Sequence, residues 1–207
     1  MRLVAEDLIV DRGMRRVIDC LSFVVAGGET LILTGPNGSG KTTLLRTIAG
    51  FIRASGGSVR LEGGDDELSL AEQAQVVGHA NALKSSLTVI ENVMFWGNYL
   101  GLPSESRARA ETALRHFGLA DLDEFPAAYL SAGQKRRLGL ARLLVAERPL
   151  WLLDEPTVSL DKASSERLVA AVNAHTASGG LAIVATHLPL AVERAKTLEL
   201  SRQRIAA

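Results

Sequence analysis

The segment Gly35-Pro36-Asn37-Gly38-Ser39-Gly40-Lys41-Thr42-Thr43 leaves few folds open to this chain. It fits the pattern G-x-x-x-x-G-K-[ST], and its flanks supply the context that pattern needs. Before it, Thr30-Leu31-Ile32-Leu33-Thr34 is apolar and partly β-branched, which predicts a buried strand. After it, Leu44-Leu45-Arg46-Thr47-Ile48-Ala49 predicts a helix. Glycines in such a loop let the backbone turn its N–H groups inward around a polyphosphate, at the positive end of the following helix. Lys41 is then placed to reach the β and γ phosphates, and the Thr42 hydroxyl to take one position on Mg2+. A glycine-rich turn can match by accident, but rarely between a strand and a helix in that order.

A second apolar run, Leu150-Trp151-Leu152-Leu153, ends in Asp154-Glu155-Pro156. An acid at the carboxyl end of a parallel strand projects into the crevice that receives the phosphates. Asp154 there can hold Mg2+ through water, and Glu155 can orient and deprotonate an attacking water. Alone, an acidic pair at a turn reads as solvated; beside a phosphate loop it reads as chemistry. Upstream, Leu130-Ser131-Ala132-Gly133-Gln134 opens a long helical pattern, with Ser131 well placed as its N-cap. His187 follows the apolar strand pattern of residues 181–185, and as a lone histidine it draws its weight from these neighbours only.

Composition narrows the options further. The 207 residues allow one domain, or one with a subdomain, and can bury a sizeable core. Lys plus Arg and Asp plus Glu stand at 23 each, so no charge excess points to nucleic acid. The Lys135-Arg136-Arg137 run is expected on a solvated face or at an inter-subunit contact, and His116 and His175 are expected to face solvent. Cys20, the one cysteine, rules out an internal disulfide and fits a reducing compartment; its place in a strand pattern predicts a small core residue. The first residues lack the apolar run of a signal peptide, and nowhere do about eighteen apolar residues run uninterrupted, so any membrane-spanning part is expected on another polypeptide.

Strand alternation over residues 3–10 and 17–25 predicts an antiparallel start, and residues 58–64 a further strand and turn. From about residue 83 to 146 the pattern turns helical, with a helix over 104–117 that begins on a plausible cap. The stretch around Phe95 and Trp96, continuing through Tyr99 and Leu100, is apolar on more than one face; one face is expected to be core, the excess a docking surface. Strand and helix alternate again after Pro149.

In this order the motifs resemble those of ATP-binding cassette (ABC) transporter ATPase subunits from end to end. The resemblance implies an α/β fold, a P-loop NTPase core with an antiparallel β subdomain and a helical signature subdomain. It implies one ATP-binding domain over 1–207, with the core at about 1–82 and 147–207 and the helical part at about 83–146. It also implies an ATP hydrolase working as a homodimer. Gly35, Pro36, Asn37, Gly38, Ser39, Gly40, Lys41, Thr42 and Thr43 of one subunit would hold ATP against Ser131, Gly133 and Gln134 of the other. Glu155 and His187 would be catalytic, Thr42 and Asp154 would hold Mg2+, and Ser159-Leu160-Asp161 would cross the dimer interface.

Three positions depart from the general pattern of that family. His79 stands where a glutamine normally couples Mg2+ to the helical part; it is carried over as a Mg2+ ligand, and turnover is expected to fall as its imidazole protonates. Arg12 replaces the aromatic residue that stacks on adenine, a role a guanidinium can also fill. Ala132 replaces a glycine of the signature, leaving phosphate contact through Ser131 and Gly133 intact. These departures, with Leu130-Ser131-Ala132-Gly133-Gln134-Lys135-Arg136-Arg137, Thr186-His187-Leu188-Pro189-Leu190 and Gly179-Gly180, resemble one branch, the ATPase of the cytochrome c maturation system, or haem exporter. That branch often follows its histidine with Gln-Pro-Gly; here Ala80-Asn81-Ala82 follow, so no neighbouring glutamine can substitute. The branch implies integral membrane partners of a haem-handling complex and a peripheral place on the cytoplasmic face of the bacterial inner membrane. Export of another client (lipid, drug or polysaccharide), a soluble cassette ATPase on ribosomes or DNA, and a module that binds ATP without hydrolysing it are the alternatives.

Overall fold

Apolar residues at alternate positions build the first hairpin, β1 (Arg2–Arg12) and β2 (Arg15–Ala26). The computed structural model describes residues 1–100 and 104–201; residues 101–103, within the stretch expected to be helical, and 202–207 lie outside it. After the hairpin come β3 (Thr30–Thr34), α1 (Lys41–Ile48), β4 (Gly56–Glu62) and β5 (Ala74–Val77). Four longer elements follow: α2 (Val89–Tyr99), α3 (Ser106–His116), α4 (Ala132–Ala141) and β6 (Leu150–Asp154). The chain then runs through α5 (Lys162–Ala177), β7 (Leu181–Ala185) and β8 (Ala195–Glu199).

Two compact units share these elements. One comprises Met1–Val76, Arg148–Glu155 and Asn173–Ala207; the other comprises Val77–Glu147 and Pro156–Val172. The first unit holds an antiparallel sheet in the order β2-β1-β4 and a sheet in the order β5-β6-β7-β3-β8. In the second sheet β6, β7, β3 and β8 run parallel. Helix α1 lies against β1 of the first sheet and β6 and β7 of the second. Leu8 and Val10, Leu31 and Leu33, Leu44 and Ile48, and Leu152 and Ile183 therefore share one core. Every residue of β6 and β7 is buried, as expected of parallel strands covered on both faces.

The second unit is helical. Thr88 and Glu91 form a capping box at the start of α2: the Thr88 N–H donates to Glu91 Oε2 (2.8 Å) and the Glu91 N–H to Thr88 Oγ1 (3.3 Å). Helices α2 and α3 approach closely at Gly97, where an added Cβ would lie 3.0 Å from Ser106 Cβ. The N-cap of α3 is Glu105 and makes no side-chain cap bond, so the cap expected at the start of 104–117 is not used. On α2, Phe95 and Tyr99 stay exposed and stack at 6.2 Å, with Lys84 over the Phe95 ring.

Three sequence expectations need correction. Cys20 is exposed, not core, because a β-bulge between the Leu8 and Val10 pairings puts it at φ 46° and turns its side chain outward. His175 is packed, not solvated: its ring stacks on Trp151 at 4.0 Å and lies flat over Gly180, whose hydrogen leaves the room a Cβ would fill. Burial holds the His175 imidazole below its ordinary pKa. Within the basic run, Arg136 is buried, and Arg137 donates to the Phe117 and Gly118 carbonyls at 3.0 and 2.9 Å. His116 stays half-exposed, and its Nε2 lies 2.8 Å from the Arg167 carbonyl.

Candidate functional site

Parallel strands in the order β6-β7-β3 bring three carboxyl ends side by side in the first unit. Asp154 ends β6 with Glu155 next in the chain, His187 follows β7, and the loop 35–43 follows β3. The loop needs its glycines. Gly35 (φ 127°) presses its backbone against the Leu200 carbonyl, and a Cβ on Gly40 (φ 108°) would lie 3.1 Å from Val17 Cγ1. Both positions combine a left-handed backbone with a neighbour that excludes a side chain.

Lys41 is buried, and its ammonium donates to the Gly35 carbonyl at 2.7 Å and the Pro36 carbonyl at 3.3 Å. It also stands 3.4 Å from His187 Nε2. Glu155 Oε1 lies 3.3 Å from the same imidazole nitrogen, and the His187 N–H donates to Glu155 Oε2 at 3.4 Å. The middle strand thus carries a group that reaches both the phosphate-loop lysine and the glutamate. Glu155 takes φ 48°, a strained conformation for a side-chain-bearing residue, and its N–H is held by the Ala185 carbonyl at 2.8 Å.

The Thr42 hydroxyl donates to Asp154 Oδ1 at 3.2 Å. A hydroxyl beside one carboxylate is a donor set for Mg2+, which keeps several waters and takes its remaining oxygens from substrate phosphates. Ser39, also buried in the loop, has a hydroxyl with no hydrogen-bond partner among the described residues. A buried polar atom without a partner is uncommon and points to a ligand. The loop, its lysine and this orphaned hydroxyl fit a nucleoside triphosphate.

The signature segment belongs to the second unit. Ser131 caps α4: its Oγ accepts from the Gln134 N–H (3.3 Å), and its own N–H donates to Gln134 Oε1 (2.8 Å). Gln134 Oε1 thus takes part in the cap, while Ser131 itself remains exposed at a helix N-terminus. Gly133 faces the Ser159 carbonyl, 3.0 Å from where a Cβ would stand, and Ser159 takes φ 67°. Asp161 caps α5 through the Ser164 N–H (2.7 Å), and the Ser164 side chain, with that N–H, holds its carboxyl below its ordinary pKa. His79 lies exposed in a bend after β5, in the second unit. Arg12 is exposed at the end of β1, directly across from Arg15.

The family described as "ABC transporter" matches residues 18–158. Curated relatives span nearly the whole chain. The Cytochrome c biogenesis ATP-binding export protein CcmA of Rhodopseudomonas palustris (strain BisB5) is 51% identical, covering 93% of this chain and 94% of its own length. The protein of the same name from Mesorhizobium japonicum is 47% identical over 95% and 96%. Among solved structures, an ATP-binding subunit of an ABC transporter superposes with a TM-score of 0.86 at 26% identity, over 99% of this chain and 89% of that one. A dimeric ATP-binding cassette in a post-hydrolysis state with ADP and phosphate shares the fold, with a TM-score of 0.82 at 23% identity, over 98% and 97%.

Proposed function

We propose, from the premise that this chain belongs to the ABC transporter family, that it is the ATP-hydrolysing subunit of a membrane complex serving cytochrome c maturation. Its work would be coupled to haem export or to release of a haem-loaded chaperone. The relatives' shared name and near full-length identity support the client. The observation that carries the chemistry is that one imidazole nitrogen, His187 Nε2, lies within reach of both Lys41 Nζ and Glu155 Oε1, at 3.4 and 3.3 Å.

In the reaction, Glu155 accepts a proton from water as the water oxygen forms a bond to the γ-phosphorus. The bond from that phosphorus to the β–γ bridging oxygen breaks, leaving ADP and inorganic phosphate. His187 holds the Glu155 carboxylate in place and donates to a γ-phosphate oxygen. Lys41 leaves neutral carbonyls for the β and γ phosphates, and the N–H groups of the loop close on them. Mg2+ at the Thr42 hydroxyl, with Asp154 behind a water, would neutralise charge on the phosphate oxygens. His79 would take the place of the missing glutamine beside that metal, and Arg12 that of the aromatic under adenine.

A second copy completes the site. Its Ser131 and Gly133, at the positive end of α4, would meet the γ-phosphate in trans, so ATP bridges two subunits and hydrolysis releases them. No described helix is long and apolar enough to cross a membrane, so attachment to the inner membrane would come through integral partner subunits on its cytoplasmic face.

The test is covalent haem staining of c-type cytochromes in the native host, comparing wild type with Glu155→Gln. Loss of mature cytochromes, with haem retained on a membrane-bound chaperone, is expected. Normal cytochromes in a host dependent on this chain alone would leave an ABC ATPase with another client.

A further inference from the structure

Arg136 lies on α4, within two turns of Ser131, and is 4% exposed. Its guanidinium serves two separate stretches of the second unit. Nε donates to the Pro156 carbonyl at 3.1 Å. Nη1 donates to the Gly78 carbonyl at 2.8 Å and to Asn81 Oδ1 at 3.1 Å. Pro156 is the residue after Glu155; Gly78 and Asn81 bracket His79. One planar cation therefore holds the backbone leaving the glutamate and the loop presenting the histidine.

Both stretches carry backbone strain beside the atoms Arg136 grips. Glu155, before Pro156, has φ 48°, and Ala82, after Asn81, has φ 52°. Neither residue is glycine, so each conformation persists only where its surroundings fix it. For Glu155 the preceding tie is its N–H on the Ala185 carbonyl, and the following tie is Arg136 on Pro156. For Ala82 the loop is also wedged against α4. A Cβ on Gly139 would lie 3.1 Å from Asn81 Cβ and 3.2 Å from Asn81 Oδ1. Arg136 and Gly139 are three residues apart on one helix face, so Asn81 sits in a notch whose floor is Gly139 and whose wall is Arg136.

We infer that Arg136 is a positioning residue for Glu155 and for the His79 loop, with Asn81 as its partner. The clamp makes the signature helix α4, the turn after the glutamate and the loop of His79 shift together. Arrival of α4 at a γ-phosphate is thereby reported to the general base and to His79 at once. A lysine could not replace the fork, since a single ammonium lacks the fixed geometry that serves Nε and Nη1 acceptors together. The inference rests on the reading of Glu155 as the base for ATP hydrolysis.

The test uses the full chain with its membrane partners in vesicles, measuring kcat and KM for ATP, with nucleotide affinity from a fluorescent ATP analogue. Asn81→Leu and Arg136→Gln are each expected to lower kcat about tenfold or more, as misplacement of a catalytic group does, with KM within about twofold. Asn81→Asp keeps an acceptor oxygen for Arg136 and is expected to recover most of the loss. The double variant is expected to be no worse than the poorer single one, because both remove the same tie. Multiplying effects, or wild-type turnover in Asn81→Leu, would overturn the clamp. Amide exchange provides an arm independent of turnover: each single variant should speed exchange at both 78–82 and 157–159. Acceleration at one stretch only would also overturn it. Should the wild-type complex itself hydrolyse no ATP, the ATPase reading fails, and the exchange arm still decides the clamp.

Discussion

The Ser39 hydroxyl is buried in the phosphate loop without a partner among the described residues. A buried hydroxyl left unpaired costs about 1–3 kcal/mol, so its removal relieves the fold. Ser39→Ala is therefore expected to leave thermal stability unchanged or raised while weakening ATP binding severalfold, read by melting and by equilibrium titration. Thr42→Val makes the complementary case. It removes the donor to the buried Asp154 Oδ1 at nearly constant side-chain shape, so stability should fall by about 1–3 kcal/mol, the worth of one hydrogen bond to a charged group. Mg2+-dependent hydrolysis should fall about a hundredfold, in line with the loss of a group that places charge stabilisation. At this scale the grouping of the loop, Asp154 and Glu155 at neighbouring strand ends was legible, because each follows an apolar run of parallel-strand type. Arg136 was not, since a basic run on a helix looks alike whether its charges meet water or buried carbonyls. Cys20 was misread because a bulge reverses the alternation on which a strand-based burial argument depends.

Among elements, α4 begins on the reciprocal bonds of Ser131 and Gln134. Ser131→Ala should destabilise the protein by about 1 kcal/mol, the usual cost of a lost N-cap, seen as a lower denaturant midpoint. The end of α5 offers a pH-dependent case. Burial lowers the His175 pKa, so the folded protein binds fewer protons there than the unfolded chain near its ordinary value of about 6.5. The stability this provides is complete above that value and is lost as pH falls through it toward the lower folded pKa. His175→Phe keeps a ring on Trp151 and carries no proton. Between pH 7 and pH 5 the melting temperature of wild type should accordingly fall more steeply than that of the variant. The strands and helices of this region were legible from periodicity; the packing of His175 was not, because helical polarity alone cannot show that Trp151 and Gly180 form a slot for its ring.

For the whole molecule, stability and ligation are linked. A ligand at about one hundred times its dissociation constant stabilises a protein by about 2.7 kcal/mol. At roughly 2–4 °C per kcal/mol for a chain of this size, saturating ATP should raise the melting temperature by about 5–10 °C. Lys41→Ala should abolish most of that shift. The α/β class was legible in the order of the motifs, and the parallel core in its unbroken apolar runs. The sharing of residues between the two units was less so. Pro156–Val172 groups with the helical unit although it lies between two strands of the parallel sheet, and that grouping depends on packing distant in sequence.

The five buried residues of β7 have one further consequence. A strand that is apolar on both faces carries no inside–outside pattern, so sliding it by one position against β6 and β3 would bury as much oil as before. Its alignment is set at its ends: the Gly180 carbonyl takes the Gly28 N–H at 2.7 Å, the Leu181 N–H reaches Pro149 at 2.9 Å, and Ala185 receives Glu155. These anchors act as the zero mark of a ruler whose last graduation is His187. Gly180→Ala, which drives a methyl into the His175 ring, would disturb that zero. Its signature would be a chain that is soluble, helical and nucleotide-bound, yet idle, its imidazole about 3.3 Å from where the phosphate and the glutamate expect it.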